Sequence, residues 1–275
     1  MSTADPTIGA SPAEARPRVG RVLNTPLCLT TYDDFIQQCR QLVRRPQPTA
    51  VDFVNTQVVT MRRHHPWFEA ITRDFEFFIP DGMPLVWCLN WQGAGLRDRV
   101  YGPTFMRLCL TQTPAPLAHY LIGGSPECGA RLRAAIQRWN PDTRVVGAYH
   151  GWCDRDGRME AAAEEQVIDE INRLSPDFVW VGLGTPKQHA WIHRYRGRIR
   201  RGLLLGVGFA FDANAGTKRD APLWMQRRGL TWVFRLFSEP LRLGPRYVRY
   251  NTLFLRYLIC DWLRPRAREA EAEST

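Results

Sequence analysis

Phe178-Val-Trp-Val-Gly-Leu-Gly-Thr-Pro-Lys-Gln188 decides the fold. Four apolar residues rich in β-branched and aromatic types read as a buried strand, and Gly182 to Gln188 reads as the loop closing its carboxyl end. A strongly periodic helix, Ala161–Leu174, precedes it, and a second apolar run, Leu203–Val207, follows and stops at Gly208. The same alternation extends outward. Strands are expected over Val22–Leu29, Ala50–Val54, Phe75–Ile79, Leu117–Ile122 and Arg144–Tyr149. Helices are expected after Thr31, over Gln57–Arg63, Met83–Trp91 and Glu127–Arg138. Strands alternating with helices predict an α/β fold, a Rossmann-like core with a largely parallel sheet flanked by helices. In such sheets ligands bind beyond the carboxyl ends of the strands. Asn55, Asp81, Gly123-Gly124, His150, Gly182–Gln188 and Gly208–Asp212 all fall at those ends and are expected on one face.

The 275 residues, 44% hydrophobic and 23% charged, exclude a wholly disordered chain. No stretch reaches the ~18 uncharged apolar residues of a membrane span, and the first twenty residues lack a signal-peptide core. A cytoplasmic protein is expected. Seven cysteines without a C-x-x-C pair argue against a disulfide framework or a cysteine zinc site. Residues 1–20, rich in Pro, Ala and Ser, read as a disordered tail, residues 21–217 as the Rossmann-like domain and 266–275 as a second flexible tail.

The net charge of +10 is uneven. Between Lys218 and Arg268 stand twelve basic residues against three acidic ones. Such a zone implies an anionic partner: a membrane surface, a nucleic acid or a phosphorylated substrate. Tyr247, Tyr250, Phe254, Tyr257, Leu258 and Trp262 follow helical spacing inside it, with Leu253, Leu255, Ile259 and Leu263 widening the apolar face. Residues 218–265 therefore read as a basic amphipathic appendage lying on a membrane. The other reading is a helix packed on the core with its arginines outward. The same apolar face could also join two copies of the chain. No nucleic-acid motif accompanies the charge, so no nucleic-acid partner is expected.

Several segments could carry chemistry. Pro80-Asp81-Gly82 sets a carboxylate in a turn at a strand end, where it can serve as a general base or simply cap its own backbone. Gly123-Gly124-Ser125 and Gly182–Gln188 offer backbone N–H groups to an anion. The first lacks the full dinucleotide spacing and the second the P-loop ending. Asp154-Arg-Asp156 matches a metal-holding D-x-D but reads better as an exposed loop. His189 and His193 are four apart, yet no third ligand is evident.

Taken in order, the segments resemble the WecG/TagA/CpsF glycosyltransferases. The matching stretches are Val54-Asn-Thr56, Phe78-Ile-Pro-Asp-Gly-Met83, Arg99-Val-Tyr-Gly102, Gly147 to Trp152, Val181 to Gln188 with Trp191, and Gly206 to Gly216. Arg219-Asp-Ala-Pro222, Gly229-Leu-Thr-Trp232, Arg235-Leu and Glu239-Pro240 continue the likeness. The resemblance implies an enzyme that moves N-acetylmannosamine, or its uronic acid, from a UDP-sugar to a polyprenyl-diphosphate-linked saccharide for a cell-surface polysaccharide. It also implies a peripheral position on the inner face of the membrane, and neither a cofactor nor a metal is expected. By this resemblance Asp81 is the catalytic base with Asn55 beside it. Lys187, Gln188 and Asp212 match family segments and are expected to bind the donor together with Gly123, Gly124 and Gly184 of the glycine loops. Arg99 matches a family arginine, and with Thr56 and the appendage residues Arg219, Arg227 and Arg235 it is expected to hold diphosphate or acceptor. Two positions depart from the family pattern: Phe53 stands where Thr is common, and Thr104 where Asp is common. A neutral hexose donor, a basic nucleic-acid module and a dinucleotide-dependent oxidoreductase are the rival readings.

Overall fold

The computed structural model describes residues 17–112 and 117–263. The expected tail at 266–275, and residues 1–16 of the expected N-terminal tail, lie outside the described residues. The core is a six-stranded sheet, entirely parallel, in the order β4-β3-β8-β7-β5-β6. Its strands are β3 (Thr49–Val54), β4 (Phe77–Pro80), β5 (Ala118–Gly123), β6 (Arg144–Tyr149), β7 (Phe178–Gly182) and β8 (Leu203–Gly206). The central strands are buried on both faces and so read as unbroken apolar runs. Their side chains alternate between two cores. Ala50, Val54, Val179, Val181 and Leu204 enter one, and Val51, Phe53, Phe178, Trp180 and Leu205 enter the other.

One face carries α2 (Thr56–His64), α3 (Pro66–Thr72), α4 (Met83–Trp91), α7 (Ala161–Leu174) and α8 (Lys187–Tyr195). The other carries α1 (Tyr32–Leu42), α5 (Gly102–Gln112), α6 (Pro126–Trp139) and α9 (Ala210–Ala215). Helix starts follow the expected chemistry. Thr31 caps α1 by accepting the Asp34 N–H, and Ser125 caps α6 by accepting that of Cys128. Five of the seven cysteines are buried.

The apolar run expected as one strand over Val22–Leu29 is instead an antiparallel hairpin of β1 (Val19–Val22) and β2 (Thr25–Cys28), separate from the main sheet. Leu23 adopts a positive φ of 54° and, with Asn24, turns the chain between the two strands. An exception inside the central strands is Asp52, fully buried on β3. Its carboxylate meets His189 Nε2 at 2.6 Å and accepts from Gln188 Nε2 at 3.2 Å, so α8 is tied to the sheet through a buried polar cluster.

The chain after Lys218 forms α10 (Leu223–Arg227), α11 (Thr231–Ser238) and the 24-residue α12 (Pro240–Leu263). Helix α12 lies along α2. His64 Nδ1 meets the Tyr257 hydroxyl at 2.7 Å, His65 Nε2 meets that of Tyr250 at 3.3 Å, and Arg63 faces Asp261 at 3.4 Å. Phe254 is buried between them. Of the residues expected to widen the apolar face, Leu255, Ile259 and Leu263 are exposed and Leu253 is half-buried; Val248 and Trp262 are exposed as well, interleaved with exposed Arg249 and Arg256. One face of the helix thus packs on α2, and the other leaves apolar and basic side chains exposed. Among the described residues no helix is long and apolar enough to cross a membrane.

Candidate active site

A cavity of about 740 Å³ opens between the carboxyl ends of β3 and β4 and the appendage helices. Asp81 lines it, in the turn between β4 and α4. Its N–H donates to the Val54 carbonyl at 2.8 Å, which fixes the turn to the end of β3. Its Oδ1 accepts the Gly102 N–H at 2.9 Å, from the first residue of α5, where helical N–H groups lack partners within the helix. Arg99 braces the same turn. One guanidinium nitrogen donates to the Asp81 carbonyl at 3.1 Å and the other to the Thr231 hydroxyl of α11 at 2.9 Å, with the guanidinium stacked 4.1 Å from the Tyr101 ring.

Burial raises the Asp81 carboxyl from 3.8 to about 6. Arg99, the Gly102 N–H and Arg235 oppose that rise, and the charge of Asp220 adds to it. A carboxylate with that affinity for a proton, held at a cavity wall, suits general-base work near neutrality. Asp220 also accepts the Tyr101 hydroxyl at 2.8 Å, and Tyr101 N–H donates to Tyr32 at 2.9 Å. The start of the appendage is thereby fastened to the loop that presents Asp81.

Asn55 lines the cavity but spends its Oδ1 capping α2, accepting from Gln57 and Val58 N–H at 3.0 and 3.2 Å. Thr56 donates to Asn251 of α12 at 3.2 Å. Asn55, Thr56, Asp81, Arg99 and Arg235 thus share one cavity. Arg219 and Arg227 are exposed and do not line it.

The glycine-rich loops form a second region at the same edge of the sheet. A Cβ on Gly123 would come within 2.6 Å of the Gly182 backbone, so this glycine lets β5 and β7 end in close contact. Gly124 packs against Cys128. Gly184, with φ +75°, faces open space. Lys187 Nζ donates to the Cys153 carbonyl at 2.7 Å, and Gln188 is buried on Asp52. Asp212 accepts the Thr217 hydroxyl at 2.8 Å and faces Lys218 at 3.6 Å. None of these six residues lines the 740 Å³ cavity.

Between the two regions lies an arginine cluster. Arg235 stacks 4.0 Å from the Phe209 ring, Arg246 donates to the Thr185 carbonyl at 3.1 Å, and Arg242 pairs with Glu239. Burial lowers the pKa of Arg242 and of Arg246, and each is lowered further by its arginine neighbours, a sign of like charges held together. Arg242 and Arg246 went unread in the sequence. Their four-residue spacing was the available signal, one turn apart on one helix. Asp154 accepts the N–H groups of Asp156 and Arg158 and closes its own loop, and His189 is committed to Asp52.

The model of the family described as "Glycosyl transferase WecG/TagA/CpsF family" matches residues 20–268. A protein of Staphylococcus aureus named N-acetylglucosaminyldiphosphoundecaprenol N-acetyl-beta-D-mannosaminyltransferase is 25% identical over 196 residues, covering 69% of this chain and 72% of its own. One of the same name from Bacillus spizizenii is 27% identical over 189 residues, covering 68% and 70%.

Proposed function

The chain belongs to the WecG/TagA/CpsF glycosyltransferase family, and on that premise we propose that it transfers an N-acetylmannosamine-type sugar, or its uronic acid, from a UDP-sugar to a saccharide carried on polyprenyl diphosphate. The observation that carries the reading is Asp81: a carboxylate with raised proton affinity, lining a cavity whose other charged groups are Arg99 and Arg235.

The reaction is an inverting single displacement. The acceptor hydroxyl oxygen bonds to the anomeric carbon, its proton passes to Asp81, and the bond from that carbon to the UDP oxygen breaks. Arg235, Arg242 and Arg246 neutralise the charge gathering on the departing diphosphate, which lies between them and the loop carrying Gly184. Lys187 and Gln188 hold that loop through Cys153 and Asp52, and Asp212 steadies the neighbouring turn through Thr217 and Lys218. Gly123 and Gly124 keep the adjacent strand end free of side chains for the nucleotide. Asn55 acts by capping α2 beside the base, and Thr56 by fastening α12.

The appendage sets the enzyme on the inner face of the membrane. Exposed Leu241, Val248, Ile259 and Trp262 enter the interface, and Arg219, Arg227, Arg249 and Arg256 meet anionic headgroups. Sedimentation with anionic liposomes should be lost when residues beyond 220 are removed. Retention would place the anchor elsewhere, and concentration-dependent dimerisation of the intact chain without liposome binding would assign the apolar face to a second copy.

Calorimetry with UDP, paired with turnover on a panel of UDP-sugars, tests the activity. Asp81→Asn should bind UDP as the parent does and lose turnover. Binding of NAD or single-stranded DNA in place of UDP would overturn the reading.

A further inference from the structure

The cavity changes character along its length. All three charged residues that line it, Asp81, Arg99 and Arg235, belong to the end where α5, β4 and α11 meet. Away from that end α4 and α12 supply the walls. On α4, Trp87 and Trp91 follow Met83 at four-residue steps, so one face of the helix leads outward from the carboxylate. On α12, Phe254, Leu255 and Leu258 follow Asn251, the residue bonded to Thr56. From Asn251 to Leu258 the strip runs about 10 Å at 1.5 Å per residue. It continues past the cavity into exposed Ile259 and Trp262.

These walls are hydrocarbon left open to solvent: Trp87 is 52% exposed, Trp91 89% and Leu255 58%. Open apolar surface continuous with a polar site marks a ligand that is itself polar at one end and apolar at the other. Trp87 is also held in place. A Cβ on Gly229, in the turn between α10 and α11, would lie 3.2 Å from its ring, so the glycine lets that turn close on the indole.

We propose that the groove between α4 and α12 seats the first isoprene units of the acceptor's lipid chain, with Trp87, Trp91, Leu255 and Leu258 as its walls. The seat rests on the transferase reading above. It orders the acceptor in one direction: sugar hydroxyl at Asp81, diphosphate at the arginines, chain along α4 and α12. The enzyme thereby takes up the chain itself as well as the headgroup, and lipid binding contributes to the rate at the sugar.

The test uses acceptors with the same sugar diphosphate, ending in a methyl or a geranyl group and presented in detergent micelles. The parent enzyme should prefer the geranyl acceptor by about tenfold or more in kcat/KM, as burial of several methylene groups requires. Trp91→Gln and Leu255→Gln alter exposed side chains that the fold does not need. Together they should erase that preference, lowering kcat/KM for the geranyl acceptor about tenfold more than for the methyl acceptor. An equal fall with both acceptors, or an intact preference, would overturn the seat and leave the rim as a membrane contact. If the parent turns over neither acceptor, the transferase reading fails first. Calorimetric titration with geranyl diphosphate against methyl diphosphate then decides the groove on its own: a geranyl preference lost in the double variant sustains it, and equal binding removes it. Competition by a short-chain phosphatidylglycerol as strong as that by geranyl diphosphate would also overturn the isoprenoid assignment.

Discussion

Two regions occupy the carboxyl edge of one sheet, and they use their residues differently. Around Asp81 the polar groups reach a cavity, with Arg99 and the Gly102 N–H bracing the carboxylate from behind. Around Gly123 and Gln188 the groups a sequence would offer to a ligand are largely committed inside the protein: Gly123 to the Gly182 backbone, Gln188 to Asp52, Lys187 to Cys153. A glycine or lysine at a strand end is thus not by itself a binding group. What separates the regions is whether a donor or acceptor remains free and aimed at open space.

The largest effect should come from the open region. Asp81→Asn is expected to lower kcat by about 10²–10⁴ while leaving UDP affinity within a small factor. A loss of UDP binding instead would move the carboxylate from base to donor contact. Arg235→Gln should cost roughly 10- to 100-fold in kcat/KM, the scale of one charge-assisted hydrogen bond, and Arg246→Gln a comparable amount. If both were silent while Lys187→Ala abolished donor binding, the comparison would be inverted.

Smaller and more diagnostic are paired changes behind Asp81. The base must be ionised, so activity should rise as pH passes the carboxyl's value of about 6. Arg99 lowers that value and Asp220 raises it. Arg99→Gln should therefore move the acid limb of the kcat/KM profile to higher pH, and Asp220→Asn to lower pH. Shifts in the same direction would show that the variants act through the fold. The smallest effect belongs to the second region: Gly184→Ala adds a methyl that meets no atom and should cost only the strain of a positive φ, about 1 kcal/mol, by thermal denaturation. Gly123→Ala should destabilise far more, because its methyl meets backbone.

Much of this was legible in the residues. The sheet could be read because its strands are buried on both faces, leaving apolar runs such as Leu203-Leu-Leu205 between glycine and proline stops. Asp81 could be read because Pro80 and Gly82 frame it at a strand end. The hairpin at Val19–Cys28 could not, since its turn rests on a leucine in a left-handed conformation that local pattern does not announce. Asp52 was hidden inside an apolar run, and its partners stand 136 and 137 positions away. Arg242 and Arg246 were visible as charge, but their place beside Thr185 and Arg235 depends on how α11 and α12 fold back over the sheet. Long-range packing supplied what local pattern could not.

The most direct measurement is the pH dependence of kcat/KM for the parent enzyme beside Asp81→Asn. The account predicts a single ionisation near pH 6 below which the parent loses activity, and its absence from the residual rate of the variant. A parent profile without that limb, or a variant that keeps it at near-parental rate, would contradict Asp81 as the base.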